Sequence, residues 1–269
     1  MAKRRDPNDP EVVAERIAEG RGLGRGSHYR PWITTHDFHS HGVRVRAWWA
    51  QTGRIHHLFS MLEYHLFLIF AADPTVLDIR EQFPLLDFDR VATASNRVRQ
   101  EARTSRAGSR GNVLTTDLVV TRKIAGSEFE TPYNVKPKRR TETEAFRHRR
   151  RLEEIYWEGD DAQLEVLTEV NAPYNLVRSA EWILQATWPC FLDEMSEPRR
   201  LAVAAQLQTS CAKPHDNLAG IATEMDQYLG LEAGSSLDVA RWMLAERHWI
   251  AVAGTAPFPS LPLQLTQST

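Results

Sequence analysis

Three polar residues in apolar surroundings have the types and spacing of a metal-dependent nuclease site. Glu63 lies in an apolar run, Asp117 interrupts the strand-like segment 114–120, and Lys136 follows Asp117 by nineteen positions. In such sites acidic side chains hold one or two divalent ions, which activate water and neutralise the scissile phosphate, while a lysine stabilises the developing charge. The trio therefore indicates the chemistry of DNA cleavage.

Sequence patterns predict the elements that hold these side chains. Apolar residues recur at helical spacing over 55–72, with Glu63 at the edge of the apolar stripe, where a carboxylate needs a partner. Because alternate strand residues share a face, Asn134 and Lys136 point the same way, and a neighbouring strand could present Asp117 to them. The predicted strands are 43–49, 76–85, 113–121, 129–138 and 164–170.

The order of the elements predicts the fold class. A polar loop is expected over 90–111, and helices are expected over 141–157 with Thr141 as N-cap, 175–187, 198–209, 215–229 and 236–248. Strands that alternate with helices indicate an α/β core with a mixed central sheet, and the last helices indicate a small helical, winged-helix-like domain. The predicted organisation is a flexible or clamped arm at 1–30, a catalytic domain at 31–188, and a partner- or DNA-binding domain at 189–269.

Charge is distributed unevenly although the net charge is only −2. Clustered cations either contact DNA phosphates or are solvated helix charges, and the sequence gives the two readings similar weight. The candidates for DNA contact are Lys138, Arg139, Arg140, Arg147, Arg150, Arg99 and Arg103. The tryptophans, Trp48 among them, are interpreted as packing residues with the exception of Trp32, which lies near the arm.

Cysteine usage and hydropathy favour a cytoplasmic protein. The two cysteines, Cys190 and Cys211, are too few for a disulfide framework and lack metal-ligand spacing. No apolar run reaches the length of a membrane span, and the N-terminus lacks the apolar segment of a signal peptide. We therefore expect a cytoplasmic, nucleoid-associated protein with no membrane partner.

With these residues in place, the chain resembles the TnsA family, the endonuclease subunits of heteromeric bacterial transposition systems. The likeness depends on ordered blocks over roughly the first two-thirds of the chain. They are Tyr-Arg-Pro-Trp at 29–32, His-Gly-Val-Arg at 41–44, Arg-Ile-His-His-Leu-Phe-Ser-Met-Leu-Glu at 54–63, Asp-Ile-Arg-Glu-Gln-Phe-Pro-Leu at 78–85, Thr-Thr-Asp at 115–117, Tyr-Asn-Val-Lys-Pro at 133–137 and Thr-Glu at 168–169.

The resemblance implies a restriction-endonuclease-like core with catalytic acids at Glu63 and Asp117 and the lysine at Lys136. Mg²⁺, for which Mn²⁺ substitutes, would bind Glu63 and Asp117, with Asn134 or the Val135 carbonyl completing the ligand set. The family commonly has glutamine where this chain has Asn134, so ligation there is looser or passes through water. The family's helical glutamate, a supporting group beside the metal ligands, matches Glu153.

The resemblance also implies an activity and partners. The family cuts the 5′ ends of a mobile element during cut-and-paste transposition, alongside an integrase-type (TnsB-like) subunit and under an ATPase regulator (TnsC-like). The expected partners are thus transposon-end DNA and these two proteins. Two alternatives stay open. The first is a stand-alone restriction or repair nuclease. The second is a DNA-bound assembly factor that no longer cuts, and it stays open because the chain has asparagine at position 134.

Overall fold

The computed structural model describes residues 9–37, 43–102, 113–160, 162–187, 195–211, 216–252 and 254–266. They fall into two compact units, one within 1–67 and 75–171 and the other within 68–74 and 172–269. The predicted candidate Arg103 lies outside the described residues, as does the boundary predicted near residue 189.

In the described part of the first unit, six strands form two sheets. β1 (Val45–Trp49) and β2 (Arg54–Leu58) make an antiparallel hairpin. β3 (Val76–Pro84), β4 (Thr115–Ile124), β5 (Ser127–Val135) and β6 (Glu165–Leu167) form a second sheet in that order, antiparallel up to β5 and parallel between β5 and β6. The predicted mixed sheet is confirmed.

The β4–β5 connection fixes the register of the strands that carry the site. Ile124 pairs with Ser127, so the loop is only Ala125 and Gly126. Both loop residues have positive φ, 50° and 87°. This is the backbone of a two-residue turn whose twist matches that of the strands it joins. The register then extends along the strands toward Asp117 and Asn134.

The helices of the first unit correct two sequence predictions. They are α1 (Pro10–Ala18), α2 (Met61–Ala72), whose residues from 68 onward count with the second unit, α3 (Phe88–Ala102), α4 (Lys138–Thr141) and α5 (Glu144–Glu158). The helix predicted over 55–72 begins only at Met61, because 54–58 pairs with β1 as a strand. Most of the predicted loop 90–111 is α3, since Ala94 and Val98 pack against Ile155 of α5.

Two smaller predictions also need correction. The N-cap of α5 is Thr143, whose hydroxyl accepts from the Phe146 N–H at 3.3 Å, whereas Thr141 ends α4. The described part of the predicted arm, 9–30, is clamped and not flexible, because the Gly26 N–H donates to Asp78 and the Tyr29 hydroxyl to the Glu81 carbonyl.

Glycine is required where this clamp passes closest to the sheet. Gly22 has a φ of 84°, and a Cβ added there would lie 2.2 Å from Cγ of Pro84. Both the backbone conformation and the close approach exclude a side chain at this position.

The second unit is helical, as predicted. It contains α6 (Tyr174–Leu184), α7 (Glu197–Cys211), α8 (Leu218–Leu229) and α9 (Ser235–Ala245), followed by one bridge between Ala251 and Leu265. The division between units falls before α6 and not near residue 189, because Trp182 and Ile183 pack in the core of the second unit with Leu207. Among the described helices, none combines the length and apolar character that a membrane span requires.

Candidate active site

Glu63 is held at the start of α2 by hydrogen bonds from the chain just before the helix. The Phe59 N–H donates to Oε2 at 2.8 Å and the Ser60 hydroxyl donates to Oε1 at 3.1 Å. The Glu63 N–H in turn donates to the Ser60 hydroxyl at 3.1 Å. This reciprocal arrangement resembles a capping box, in which the first turn fixes a carboxylate by satisfying its own donors. Only 5% of Glu63 is exposed.

Asp117 and Lys136 form a direct ion pair. Nζ of Lys136 lies 2.7 Å from Oδ2 of Asp117, and the same oxygen accepts the Val135 N–H at 2.8 Å. The Lys136 backbone is itself fixed, because its N–H donates to the Leu167 carbonyl of β6 at 3.0 Å. Asp117 is buried near the start of β4, where an aspartate is unfavourable unless it has a use.

The carboxylates of Glu63 and Asp117 are close enough to repel one another. Burial and, after it, the negative charge of Asp117 together raise the pKa of Glu63 to about 7, although the hydrogen bond from the Phe59 N–H and the charge of Lys136 act to lower it. The structure therefore brings the three residues of the predicted trio together. It leaves them with more buried negative charge than one lysine compensates.

Glu153 lies beneath this trio and is fully buried. Its Oε2 accepts from the Thr116 hydroxyl at 3.1 Å and from Nδ2 of Asn134 at 3.2 Å, while Oε1 accepts from Nε of Arg149 at 2.9 Å. Burial raises the pKa of Glu153 to about 7 against the effect of Arg149. Glu153 thereby positions the Asn134 amide, since that donor bond leaves the Asn134 carbonyl oxygen for another partner.

The donor set fits a hard divalent cation. Within the described residues, no three His, Cys, Asp or Glu side chains are placed to share a metal ion. The carboxylates of Glu63 and Asp117 are close enough to interact, however, and a bound dication would relieve the repulsion between them. The amide oxygen of Asn134 stays a predicted ligand. Mg²⁺ in proteins usually binds one or two carboxylates, and water and substrate phosphate fill its other coordination positions.

A second buried network was missed at the level of sequence. The Glu81 carboxylate accepts hydrogen bonds from both terminal nitrogens of Arg54, at 2.8 and 2.7 Å. It also accepts hydrogen bonds from Nδ1 of His56 and from the His57 N–H, each at 3.0 Å. The nearby positive groups hold the pKa of Glu81 well below its usual value in spite of complete burial. The available signal was the charged and polar run Arg-Glu-Gln at 80–82 inside a predicted strand, where such residues are unfavourable unless they have partners.

The residues predicted to contact DNA that lie in the described part of the chain are exposed. Lys138, Arg139 and Arg140 lie on α4, immediately after the strand that ends near Lys136. Arg147 is exposed on α5, Arg150 pairs with Glu154 at 2.6 Å, and Nε of Arg99 donates to the Ser95 carbonyl. Their contact with DNA stays a prediction.

The interpretation of the tryptophans is wrong at two positions. Trp32 is buried, with the guanidinium of Arg16 5.5 Å from its ring centre, so it packs in the interior. Trp48 is 44% exposed and alternates with arginines along β1. The alternation was readable in the sequence, but its outward direction depends on the hairpin with β2, which had been predicted as helix.

Comparison with known proteins finds two matching family models and a relative. A family model described as TnsA-like endonuclease N terminal matches residues 73–169, and a model described as TnsA endonuclease C terminal matches 173–251. Transposon Tn7 transposition protein TnsA of Escherichia coli is 29% identical over 247 residues, which cover 91% of this chain and 87% of the relative. Asp117, Asn134 and Lys136 lie inside the first matched region, and Glu63 precedes it.

The two matched regions follow one another and account for most of the chain. Together with the mixed sheet, the N-terminal match confirms the expected restriction-endonuclease-like fold of the α/β core. The chain belongs to the TnsA family of endonucleases.

Proposed function

We propose that this protein is the metal-dependent DNA endonuclease subunit of a heteromeric transposase, and that it cleaves the 5′ ends of a mobile element during cut-and-paste transposition. One observation carries the chemistry: the Lys136 ammonium lies 2.7 Å from Asp117, whose charge in turn raises the pKa of buried Glu63. The name of the E. coli relative, a transposition protein, supports the biological setting.

Glu63 and Asp117 would hold Mg²⁺, with Mn²⁺ as a substitute, and Asn134 or the Val135 carbonyl would complete the protein's share of ligands. A divalent ion bound there supplies Lewis-acid activation of the scissile phosphate. The neutral oxygen ligand from Asn134 or Val135 matters because two carboxylates alone would leave most coordination positions of the ion to water and substrate. Glu153 contributes indirectly by holding the Asn134 amide in one orientation.

Lys136 would stabilise negative charge on the phosphate as the bond to the leaving oxygen breaks. Its ammonium is held by Asp117 and its backbone N–H by the Leu167 carbonyl of β6, so the side chain is already positioned before substrate arrives. Preorganised charge of this kind is usually the largest single contribution to catalysis. The cations of α4 and α5 would hold the DNA backbone nearby.

The partners in this proposal are element-end DNA, an integrase-type subunit that cuts and joins the 3′ ends, and an ATPase regulator. Movement of the element by cut and paste needs both strands severed at each end, and this chain would supply the 5′ cut. The helical second unit would contact the regulator or the DNA.

Strand-specific cleavage tests the proposal. End-labelled element-end DNA is incubated with Mg²⁺ or Mn²⁺ and wild-type or Asp117→Ala protein, with and without the integrase-type partner. Metal-dependent 5′-end cuts that require the partner and are absent from Asp117→Ala support a transposase subunit. Cutting without the partner instead supports a stand-alone nuclease, whereas no cutting in any mixture supports a non-cutting assembly factor.

Metal binding has a readout that does not need activity. Thermal unfolding is followed during Mn²⁺ titration, because a ligand that binds the native state raises the unfolding temperature as its concentration exceeds Kd. We expect a shift in wild type that is lost in Asp117→Asn, which keeps the size of the side chain. Equal shifts in the two proteins would place the ion elsewhere.

A further inference from the structure

The β1–β2 hairpin has one buried face and one exposed face. Trp49 and His56 point inward and pack near Phe67, with ring centres 5.8, 6.1 and 4.8 Å apart. On the other face Arg46 lies directly opposite His57, and Trp48 lies directly opposite Ile55. Arg46, Trp48 and Ile55 are exposed. The exposed face therefore combines a cation, a histidine and two large apolar side chains.

A pocket of about 390 Å³ opens beside this face. The described residues that line it are Thr35, His36, Arg44 and Arg46, and none of these has a carboxylate. Arg44 donates to the Thr35 carbonyl at 3.1 Å, which fixes its guanidinium at the rim. Within the described residues, Arg46 has no carboxylate within ion-pair distance. Two arginines around one pocket match the charge and hydrogen-bond geometry of a phosphate.

The aromatic residue next to this pocket is unusual in its exposure. Trp48 is 44% exposed and its cross-strand neighbour Ile55 is 46% exposed. An aromatic ring that alternates with arginines on one sheet face is the arrangement by which proteins hold single nucleic-acid strands, since bases stack on the ring and cations follow the backbone. Adjacent exposed apolar side chains mark binding surfaces more often than inert ones.

We propose that the outer face of the β1–β2 hairpin binds a DNA strand, with a backbone phosphate between Arg44 and Arg46 and an unpaired base stacked on Trp48. The proposal rests on the proposed function in one respect only, namely that the polyanion is DNA. It adds a surface separate from the residues of α4 and α5 and names the form of DNA that it prefers, an unpaired strand.

This surface is coupled to the candidate active site through the chain. β2 ends at Leu58, and the next residue, Phe59, donates its N–H to Glu63 at 2.8 Å. A strand held on the hairpin is thus held by the segment that positions a catalytic carboxylate. Such a surface would retain one strand of a frayed or already cut end while the duplex lies against the site.

Binding is measured by fluorescence anisotropy with a labelled single-stranded oligothymidine and with a duplex of equal length, in EDTA so that no cleavage occurs. The full-length chain is compared with Arg46→Ala, Trp48→Ala and Trp48→Phe. Lys123→Ala is the matched control, because Lys123 is an exposed cation of the same unit near the β4–β5 turn. Thermal unfolding of each variant confirms that it is folded.

We expect Trp48→Ala to weaken single-strand binding roughly 5- to 100-fold and duplex binding much less, with Trp48→Phe close to wild type. Arg46→Ala should weaken binding of either DNA and reduce the salt dependence of single-strand binding by about 0.7 in log–log slope. Wild-type binding by both alanine variants overturns the proposal, and equal losses on the two DNAs in Trp48→Ala overturn the stacking contact. Because no metal is present, these outcomes do not depend on whether the protein cuts.

Discussion

Glu81 and Glu63 are two buried glutamates of the same unit that meet opposite surroundings. The Glu81 carboxylate accepts four hydrogen bonds, three of them from Arg54 and His56 side chains, and its pKa is well below the usual value. Glu63 accepts two, from Phe59 and Ser60, faces the charge of Asp117, and has a pKa raised to about 7. Glu63 and Glu81 are almost equally buried, so the difference between their pKa values comes from the groups that surround each carboxylate.

The comparison distinguishes structural charge from functional charge. A buried ion that is fully paired stabilises one arrangement of the chain and has no capacity left for a ligand. A buried carboxylate that repels its neighbour stores unfavourable interaction energy, which a cation or a proton relieves. Strained electrostatics of this kind are typical of functional sites. By this criterion Glu81 supports the fold, whereas Glu63 and Asp117 have the uncompensated charge that a cation or a proton would relieve.

The largest effect is expected on stability, from Glu81→Gln. The substitution leaves Arg54 and His56 without their carboxylate, and removing one partner of a buried ionic network costs about 3–5 kcal/mol. The folded-state pKa of Glu81 is lowered, so its stabilising effect is present above the unfolded value of 4.5 and is lost as pH falls further.

Thermal and urea unfolding at pH 7 and at pH 4 measure this effect. Glu154→Gln is the control, because its pairs with Arg150 and Arg151 are partly exposed and such pairs contribute about 1 kcal/mol or less. If Glu81→Gln were no more harmful than the control, the paired network would not support the fold, and the first half of the comparison would fail.

Lys136→Met is expected to lower the rate of catalysis. The substitution keeps an unbranched side chain of similar length but removes the ammonium beside Asp117. Loss of one preorganised stabilising group lowers a catalytic rate constant by roughly 10²–10³-fold. Strand-specific cleavage with the partner subunit measures this loss, with Lys123→Met as a matched control. A variant that cuts at the wild-type rate would leave Lys136 as a counter-ion of Asp117 only.

Sequence reasoning singled out the residues of the candidate site because charged residues are unfavourable in strands and on apolar helix faces. Asp117 in a predicted strand, and a lysine at alternate spacing after Asn134, indicated that a neighbouring strand could bring them together. In the structure the Lys136 ammonium donates a hydrogen bond to Asp117, and the Asn134 amide donates one to Glu153. The position of Glu153 beneath them depends on how α5 packs on the sheet, which no local pattern encodes.

The segment before Glu63 shows why other parts could not be predicted. Ile55, Leu58 and Phe59 follow helical spacing, yet 54–58 is a strand because it pairs with β1 and supplies Arg54 and His56 to Glu81. Short apolar runs are ambiguous between strand and helix until the tertiary partner is known. Because this segment was predicted as helix, neither the buried network around Glu81 nor the exposed face of the hairpin could be predicted.

The smallest effect is expected for Glu63→Gln, and it has the opposite sign to that of Glu81→Gln. The folded-state pKa of Glu63 is raised from 4.5 to about 7, so the native protein must bury an unfavourable charge above pH 7 and holds a proton below it. In the absence of metal, Glu63→Gln should therefore be more stable than wild type at pH 8, by on the order of 1–3 kcal/mol. The gain should disappear as the pH falls through 7 toward 4.5.

Unfolding of wild type and Glu63→Gln in EDTA between pH 4.5 and 8.5 tests this sign. Glu153, whose pKa is also raised to about 7, is present in both proteins and cancels from the difference. Addition of Mn²⁺ at pH 8 should then reverse the order, because only wild type keeps both carboxylates for the ion. A variant that is less stable than wild type by the same amount at every pH would mean that Phe59 and Ser60 satisfy Glu63 as fully as Arg54 and His56 satisfy Glu81. The candidate site would then lack the uncompensated charge on which metal binding depends.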